Sequence, residues 1–318
     1  MLNRRLLLSG LSSFAAIAAA APAVARAPLS GGQVPGVYRR KVGSIEVTAL
    51  LDGSVGLNTQ AFLGAPPDEL KRILAASGLT ENLPTAVNAF LVNTGAKTYL
   101  IDTGAGSNKA FGNTLGNMRN HLRIAGVQPS QIDAVILTHA HVDHAEGLLT
   151  PSGQARFVNA EVIIHEAEAA FWMDDGILSR APEASKPFFV SARKSLAPYA
   201  KRLRKMKAGE VAPGITLEHA PGHTPGHSIL RIASGKDQLL LVGDILHNTA
   251  IHTARPETGF AFDLDQAQAA ASRKRVFDMI SADGALIGAT HAAFPGFGRV
   301  LKDGAAFKYI PAEWSAAL

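Results

Sequence analysis

The sequence contains no cysteine, and this absence limits the metal sites and cross-links that the chain can form. Without cysteine there is no disulfide, no lipid anchor of the lipoprotein type and no thiolate ligand. Any metal ion must therefore be held by imidazole and carboxylate groups. The 11 histidines and 26 acidic residues supply both kinds of ligand.

The excess of positive over negative charge is also small. The formal net charge is +5, and Arg4 and Arg5 lie in an amino-terminal segment that we expect to be removed; cleavage after Ala25 takes away these two charges and leaves +3. This excess is too small to indicate a nucleic-acid partner, so we expect a small-molecule ligand or substrate. At 318 residues, 47% hydrophobic and 18% charged, the chain has the size of one globular enzyme.

Only the first residues form a long apolar run without acidic side chains. Asn3-Arg4-Arg5 precedes an alanine-rich stretch that ends in small residues, a pattern typical of an export signal of the twin-arginine type. We therefore predict a signal peptide over residues 1–27, a single domain over residues 28–318 and a periplasmic or secreted location. The alternative is a membrane anchor, but residues 6–25 are marginal for a bilayer that needs about 20 apolar residues. No stable membrane insertion is expected after cleavage.

The pattern of apolar residues predicts short strands and tight turns in the first half of the chain. Strands are predicted at residues 37–42, 45–51, 89–92 and 98–101, with turns at Asp52-Gly53 and Thr94-Gly95. Helices are predicted within residues 64–77 and 191–207. Strands at 132–137 and 162–165, with helical patterns around them, indicate a layered α/β fold.

The richest group of candidate ligands is Thr138-His139-Ala140-His141-Val142-Asp143-His144, which follows the apolar run 134–137. Side chains two residues apart on a bending loop diverge, so these four groups cannot all bind one ion. They can divide between two adjacent ions, with His139 and His141 on one ion and Asp143 and His144 on the other. A histidine-rich surface turn is the alternative, but further candidate ligands later in the chain argue against it.

Three further candidate ligands follow apolar strands or lie in rigid turns. His223 lies in the Pro- and Gly-rich loop 220–228, and we assign it to the first ion. Asp244 follows the apolar run 239–242 and can bridge two cations through its two oxygens. His291 follows residues 286–290 and completes the second ion. His227 is either a further ligand or a buried, hydrogen-bonded side chain, and we prefer the second interpretation. Asp102 is expected to support the histidine loop without binding a metal ion itself.

This set of residues resembles the ligand set of the metallo-β-lactamase superfamily, and the sequence is most similar there to methyl parathion hydrolases and their organophosphate-hydrolysing relatives. Motifs that carry the resemblance include Gly222-His223-Thr224-Pro225-Gly226-His227 and His291-Ala292-Ala293-Phe294-Pro295-Gly296. The resemblance implies an αββα sandwich with a dinuclear metal site, and a homodimer. It also implies an aromatic leaving-group pocket, for which the matching residues are Phe111, Trp172 and Phe188 or Phe189; ordinary core packing is the alternative for these rings.

The resemblance and the ligand set predict a metal-dependent hydrolase. Two divalent ions, zinc foremost with Mn²⁺, Co²⁺ or Fe²⁺ as alternatives, would generate a bridging hydroxide that attacks an organophosphate triester or aryl ester. Asp143, Asp244 and His247 are the predicted catalytic residues, and His247 or His252 would give a proton to poor leaving groups.

Two other functions remain open on the sequence. Homoserine lactonases of this superfamily carry a tyrosine three residues after the bridging aspartate, where this chain has His247. A lactonase with incidental phosphotriesterase activity is therefore the alternative hydrolase. A metal-binding or partner-binding protein without catalysis is the third possibility.

Overall fold

The structure is a computed structural model that describes residues 29–318 and divides the chain into two units, Met1–Val34 and Pro35–Leu318. Of the first unit only residues 29–34 are described, and these six residues form no helix or strand. The predicted signal peptide, residues 1–27, lies outside the described residues. Within residues 29–318, no helix is both long enough and apolar enough to cross a membrane.

The first half of the second unit builds a seven-stranded sheet. Its strands, in spatial order, are β1 (Val37–Val42), β2 (Ile45–Asn58), β4 (Asn82–Asn93), β5 (Thr98–Ile101), β6 (Ala134–Ile136), β7 (Glu161–His165) and β8 (Leu203–Met206). The pairs from β1 to β5 are antiparallel, and those from β5 to β8 are parallel. The predicted strands at 37–42 and 98–101 are confirmed, and those at 45–51 and 89–92 are parts of longer strands.

The second half builds another seven-stranded sheet. Its strands, in spatial order, are β16 (Ala306–Pro311), β15 (Phe297–Asp303), β14 (Leu286–Gly288), β12 (Asp237–Leu241), β11 (Ser228–Ser234), β10 (Ile215–His219) and β9 (Gly209–Ala212). β12 and β14 are parallel, so both strands end at the same edge of the sheet. A two-stranded ribbon joins β3 (Phe62–Leu63) to β13 (Gly259–Phe260).

Eight α-helices accompany the strands within residues 29–318. They are α1 (Pro67–Ala76), α2 (Met118–Ile124), α3 (Val142–Ala145), α4 (Glu166–Met173), α5 (Asp175–Arg180), α6 (Lys186–Leu196), α7 (Thr249–Ala254) and α8 (Gln266–Asp283). α1 confirms the helix predicted within residues 64–77.

The burial pattern arranges these elements in four layers. Val47 of the first sheet and Leu239 of the second lie in one apolar core between the two sheets. The opposite face of each sheet packs against helices. Leu50, three residues after Val47 in β2 and therefore on the opposite face, lies in the core beneath α6, while Leu240, next to Leu239 in β12, packs with Phe277 of α8. Because successive side chains of a strand point to opposite faces, strands buried on both faces read as continuous apolar runs. The predicted αββα sandwich is confirmed.

Two local predictions are wrong. Residues 201–207 do not continue a helix: α6 ends at Leu196, a short 3₁₀-helix follows over Ala197–Arg202, and β8 then pairs with β7. Pro198 explains the change, because proline has no N–H and its ring clashes with the preceding helical turn.

Asp52-Gly53 is not a turn between strands. β2 continues through it to Asn58, with a register shift between Leu51 and Gly53. Gly53 has φ of 152°, and a Cβ there would lie 2.3 Å from the carbonyl oxygen of Thr114, so the glycine allows a close backbone approach. Thr94-Gly95 does form the predicted turn, where the Thr94 N–H donates to the Lys97 carbonyl.

Candidate metal centre

The histidine loop, residues 138–144, follows the end of β6 at the edge of the sandwich. Thr138 fixes its start, because both the Thr138 N–H and the Thr138 hydroxyl donate to the Asp102 carboxylate, each over 2.8 Å. α3 begins at Val142, directly after His141. The loop thus presents His139 and His141 before the helix, and Asp143 and His144 on its first turn.

Three imidazoles converge in what we call the first cluster, formed by His139, His141 and His223. His141 Nδ1 lies 3.0 Å from His139 Nε2 and 3.0 Å from His223 Nε2. These three nitrogens lie within 4.8 Å of one another, as the donor atoms around one metal ion do. The structure therefore brings together the three residues assigned to the first ion.

Asp143, His144 and His291 form a second cluster beside the first. The Asp143 carboxylate lies 3.7 Å from His144 Nε2 and 3.7 Å from His291 Nε2. Their potential ligand atoms also fall within 4.8 Å of one another. His291 arrives from the loop after β14 in the second sheet, so this cluster joins the two halves of the unit.

Asp244 lies between the two clusters. Its Oδ2 is 3.1 Å from His223 Nε2 and its Oδ1 is 3.1 Å from His144 Nε2. Oδ1 also lies 3.3 Å from His291 Nε2. Each carboxylate oxygen thus faces a different cluster, which is the placement that a bridging ligand requires.

The polar atoms of this site fit a pair of divalent cations. His144 Nε2 and Asp244 Oδ1 are buried, and neither has a hydrogen-bond partner among the residues that the structure describes. Buried polar groups without partners are costly, and a cation bound between these two atoms would satisfy both. Imidazole and carboxylate are ligands that divalent transition metals accept.

The charges around the site also favour a cation. Burial, together with the neighbouring imidazoles, holds the pKa of His139 and His141 well below its usual value, so both rings are neutral and keep a lone pair for a metal. Burial alone would raise the pKa of Asp244, but the surrounding imidazoles, His144 foremost, lower it well below its usual value. The carboxylate is therefore ionised and offers negative charge to both clusters.

Each cluster is held from behind by hydrogen bonds to the far ring nitrogens. His144 Nδ1 lies 2.8 Å from Oδ2 of Asp102, the residue expected to support the histidine loop, and His291 Nδ1 lies 2.9 Å from the Ala86 carbonyl. His223 Nδ1 lies 2.8 Å from Asp263 Oδ1. Burial alone would lower the pKa of His223, but the charges of Asp244 and Asp263 raise it to about 9. Such partners fix the tautomer and the ring orientation of a ligand.

Sequence reasoning missed Asp263 and Glu168, whose carboxylates contact the ligand loops. Asp263 follows the ribbon strand β13 in an irregular segment, and Glu168 lies on α4 where an acidic residue is expected at the surface. Neither position carries a local signal. The alternative preferred for His227 is confirmed: its ring is fully buried, Nδ1 donates to the Ala220 carbonyl and Nε2 accepts the Asp244 N–H.

The clusters face a cavity with an apolar wall. Residues from several elements line it: Val55, Leu57, Thr85, Phe111, Phe188, Phe260, Phe262 and His247, with the ligands His141, Asp143, His223, Asp244 and His291 at its floor. The rings of Phe111 and Phe188 stack with centroids 6.2 Å apart. His247 Nε2 lies 3.0 Å from Asp244 Oδ2, and its ring stacks on Phe260 at 3.6 Å.

Three residues predicted for the substrate pocket lie elsewhere. Trp172 and Phe189 line a neighbouring recess that shares Phe188 with the main cavity. Both are almost fully buried, because they also belong to the core between α4 and α6. His252 lies behind His247, fully buried, and its Nδ1 accepts the His247 N–H. It does not line the cavity, since α7 directs it towards Phe62 instead.

A model of the metallo-beta-lactamase superfamily matches residues 82–291, which span the ligands of both clusters. The chain belongs to this superfamily. A crystal structure of the hydrolase AbOPH in the beta lactamase superfamily is similar over 89% of this chain and 100% of that chain, with 32% identity and a TM-score of 0.84. This superfamily member is thus a metal-dependent hydrolase with a dinuclear site for divalent cations.

Two further relatives are lactonases. AidC, described as a dizinc quorum-quenching lactonase in complex with the product N-hexnoyl-L-homoserine, matches with 28% identity, a TM-score of 0.82, and coverage of 88% of this chain and 99% of that chain. An N-acyl homoserine lactonase from Bacillus sp. is 29% identical over 170 residues, 50% of this chain and 60% of the relative. The chain thus spans less than two thirds of that relative. The comparisons do not support the narrower resemblance to methyl parathion hydrolases.

Proposed function

We propose that this member of the superfamily hydrolyses N-acyl homoserine lactones. The proposal is supported by the two lactonase relatives, one of which covers nearly the whole domain. It replaces the organophosphate triester as the first choice of substrate. The dimer and the exported location stay predictions.

The observation that carries the proposal is the position of Asp244, with one oxygen towards each cluster, at the floor of an apolar cavity. We propose zinc for both ions, as in the dizinc relative, held by His139, His141 and His223 on one side and by Asp143, His144 and His291 on the other. When bound, such a pair of cations supplies Lewis acidity and lowers the pKa of water towards neutrality.

The remaining residues of the cavity suit a substrate that is polar at one end and apolar at the other. An N-acyl homoserine lactone has this form, with an ester ring and a fatty acyl chain. Phe111, Phe188 and Phe262 can bury the chain through apolar contact, which is worth about 25 cal/mol per Å² of buried surface. The lactone ring would then lie at the cavity floor.

His247 occupies the position from which a side chain can assist the leaving alkoxide. Burial lowers the pKa of His247 to about 4, so the ring is neutral at pH 7 and carries one N–H. We propose that Nε2–H, which in this structure faces Asp244, donates to the oxygen that leaves when the ring opens. This hydrogen-bonding role of the neutral ring differs from the proton transfer by His247 or His252 that was expected from the sequence.

Organophosphate triesters and aryl esters are the second candidate substrates. The aromatic wall of the cavity favours them, because Phe111 stacks on Phe188 and meets Phe262 edge-on, with centroids 6.2 Å apart in both pairs. Offset and edge-to-face aromatic contacts of this kind would also suit a nitrophenyl leaving group.

A turnover assay on three substrates separates these proposals. Purified zinc-loaded protein is given N-hexanoyl homoserine lactone, paraoxon and a nitrophenyl ester, with Asp244→Ala as the blank. We expect the highest kcat/KM for the lactone and no turnover above background in the variant. A higher kcat/KM for paraoxon would support the second candidate. Zinc binding without turnover of any of the three substrates would indicate a binding protein.

A further inference from the structure

Glu168 is a fully buried carboxylate that no part of the proposed reaction uses. It lies in the first turn of α4 and is 0% exposed. Burying an ionised carboxylate is costly unless its oxygens are hydrogen-bonded. The donors that form hydrogen bonds with these two oxygens therefore indicate the structural role of Glu168.

Four neutral donors surround the carboxylate. Oε1 accepts the Ala140 N–H at 2.9 Å and the Trp172 Nε1–H at 2.6 Å. Oε2 accepts the Thr224 hydroxyl at 2.6 Å and the Gly226 N–H at 2.9 Å. A carboxylate is an acceptor only and has room for four such bonds, so no other side chain of this length satisfies all four donors.

The donors come from the two loops that carry the first cluster. Ala140 stands between His139 and His141, and Thr224 follows His223 directly. The two loops belong to different halves of the unit, and each gives one backbone N–H to Glu168. The bonded Trp172 ring also packs edge-on against His141, with centroids 5.6 Å apart.

The approach of α4 to the second of these loops is unusually close. A Cβ at Gly226 would lie 2.2 Å from the backbone nitrogen of Glu168, so only glycine fits there. The second cluster has a different support, since His144 contacts Asp102 and His291 contacts the Ala86 carbonyl. Glu168 thus contacts the backbone between the two first-cluster histidines and the segment after His223, but no ligand of the second cluster, although Asp143 and His144 follow in the same loop.

We propose that Glu168 is a positioning residue that holds the His139–His141 loop and the His223 loop at the separation that the first metal ion requires. The inference rests on the proposed two-cation site and not on the identity of the substrate. Loss of the carboxylate lets the loops move independently and weakens the first ion selectively. Removal of supporting partners of metal ligands typically costs about 10- to 100-fold in metal affinity.

Glu168→Gln tests the proposal because it keeps the length and volume of the side chain. One acceptor oxygen becomes an NH₂ group, which must face either the Ala140 and Trp172 donors or the Thr224 and Gly226 donors. The substitution is made in two backgrounds that each keep one cluster: His291→Ala, which retains the first, and His139→Ala, which retains the second. Zinc affinity is measured by competition with a chelator, so no turnover is needed.

We expect Glu168→Gln to lower zinc affinity about 10- to 100-fold in the His291→Ala background and to leave it unchanged in the His139→Ala background. The matched control is Asp52→Asn, which alters another fully buried carboxylate that accepts three backbone N–H groups but contacts neither loop. It should lower the melting temperature without changing either zinc affinity.

Equal losses in both backgrounds, no loss in the His291→Ala background, or the same loss in Asp52→Asn would overturn the proposal. If Glu168→Gln does not fold, Thr224→Val decides in its place, because it removes one donor and keeps the carboxylate. A weaker first ion in that variant supports the inference, and an unchanged one refutes it. Selective zinc loss in a protein that opens no lactone would contradict the proposed function alone.

Discussion

At the residue scale, the candidate metal ligands depend on hydrogen-bond partners that lie outside the two clusters. Asp263 accepts from His223 Nδ1 at 2.8 Å and from the Phe260 N–H at 2.9 Å, so it joins a ligand to the segment that forms one cavity wall. Charge on this carboxylate helps to raise the pKa of His223. The orientation of the His223 ring and its strength as an electron donor therefore depend on Asp263.

Asp263→Asn is expected to lower zinc affinity or kcat/KM about 10- to 100-fold, because the amide carries no charge and holds the His223 tautomer less well. Zinc titration and lactone turnover measure the two effects. Asp265→Asn is the matched control: this residue caps α8 by accepting the Gln268 N–H, and asparagine caps a helix equally well. Similar losses in both variants would contradict the assigned role of Asp263.

His247→Phe should slow lactone opening by roughly 100-fold but nitrophenyl ester hydrolysis by less than roughly tenfold. An alkoxide leaves with difficulty unless a hydrogen bond stabilises it, whereas a nitrophenolate needs no such help. Phenylalanine keeps a ring that can stack on Phe260 and removes both ring nitrogens, including the one N–H. Rates on both substrates are compared with those of His247→Ala, which also removes the stacking. Equal slowing of both substrates by Phe would rule out the donor role.

At the element scale, α4 links the metal site to the rest of the first sheet. The helix begins directly after β7, and His165 caps it by accepting the Ala167 N–H on Nδ1. The His165 ring stacks on His219 with centroids 4.1 Å apart. Glu168 then projects from the first turn towards both ligand loops, so the position of this helix affects the site.

Low pH should weaken the capping of α4 by His165. Burial, with a contribution from His219, lowers the pKa of His165 below its ordinary value of 6.5 in the folded protein. The unfolded chain therefore takes up this proton first, and the stability that the neutral ring contributes is present above pH 6.5 and lost as the pH falls below it. Protonation of Nδ1 would also remove the acceptor for the Ala167 N–H.

His165→Asn replaces the titrating cap by one that does not titrate. The variant should lose less free energy of unfolding than the unmodified protein between pH 7 and pH 5. Urea unfolding of both proteins in the presence of a chelator measures this difference without contributions from bound metal. Parallel losses in the two proteins would mean that the cap does not titrate in this range.

At the scale of the whole molecule, the two sheets meet at one metal centre. His139, His141, Asp143 and His144 come from the first half of the unit, and His223, Asp244 and His291 come from the second. Cations bound between them act as cross-links between halves that otherwise share an apolar core. Removal of the metal should therefore destabilise the fold as well as abolish activity.

Chelation is expected to lower the melting temperature by about 5 °C or more for each ion, since an ion present at 100 times its Kd contributes about 2.7 kcal/mol. Scanning calorimetry with EDTA, followed by addition of zinc, measures the loss and its recovery. Asp244→Ala should respond less to the chelator, because its ions are already weakly held. A melting temperature that does not respond to EDTA would show that the metals do not stabilise the fold.

The sequence by itself determined the layered fold and indicated the residues that gather in the two clusters. Strands buried on both faces produce runs such as residues 134–137 and 239–242, and ligands follow directly in the chain, so strand and ligand are visible together. The same local signals misplaced the helix at residues 201–207 and the turn at Asp52-Gly53, where Pro198 and close packing against Thr114 decided the outcome.

Only the tertiary structure decided which groups support the ligands and enclose the cavity. Asp263 contacts a histidine 40 residues away, and Glu168 contacts Thr224 at a separation of 56 residues. The folding of distant segments against one another creates these contacts, and nothing in the neighbouring sequence distinguishes such acids from solvated ones. The same holds for His252, whose place behind His247 follows from the packing of α7 against Phe62.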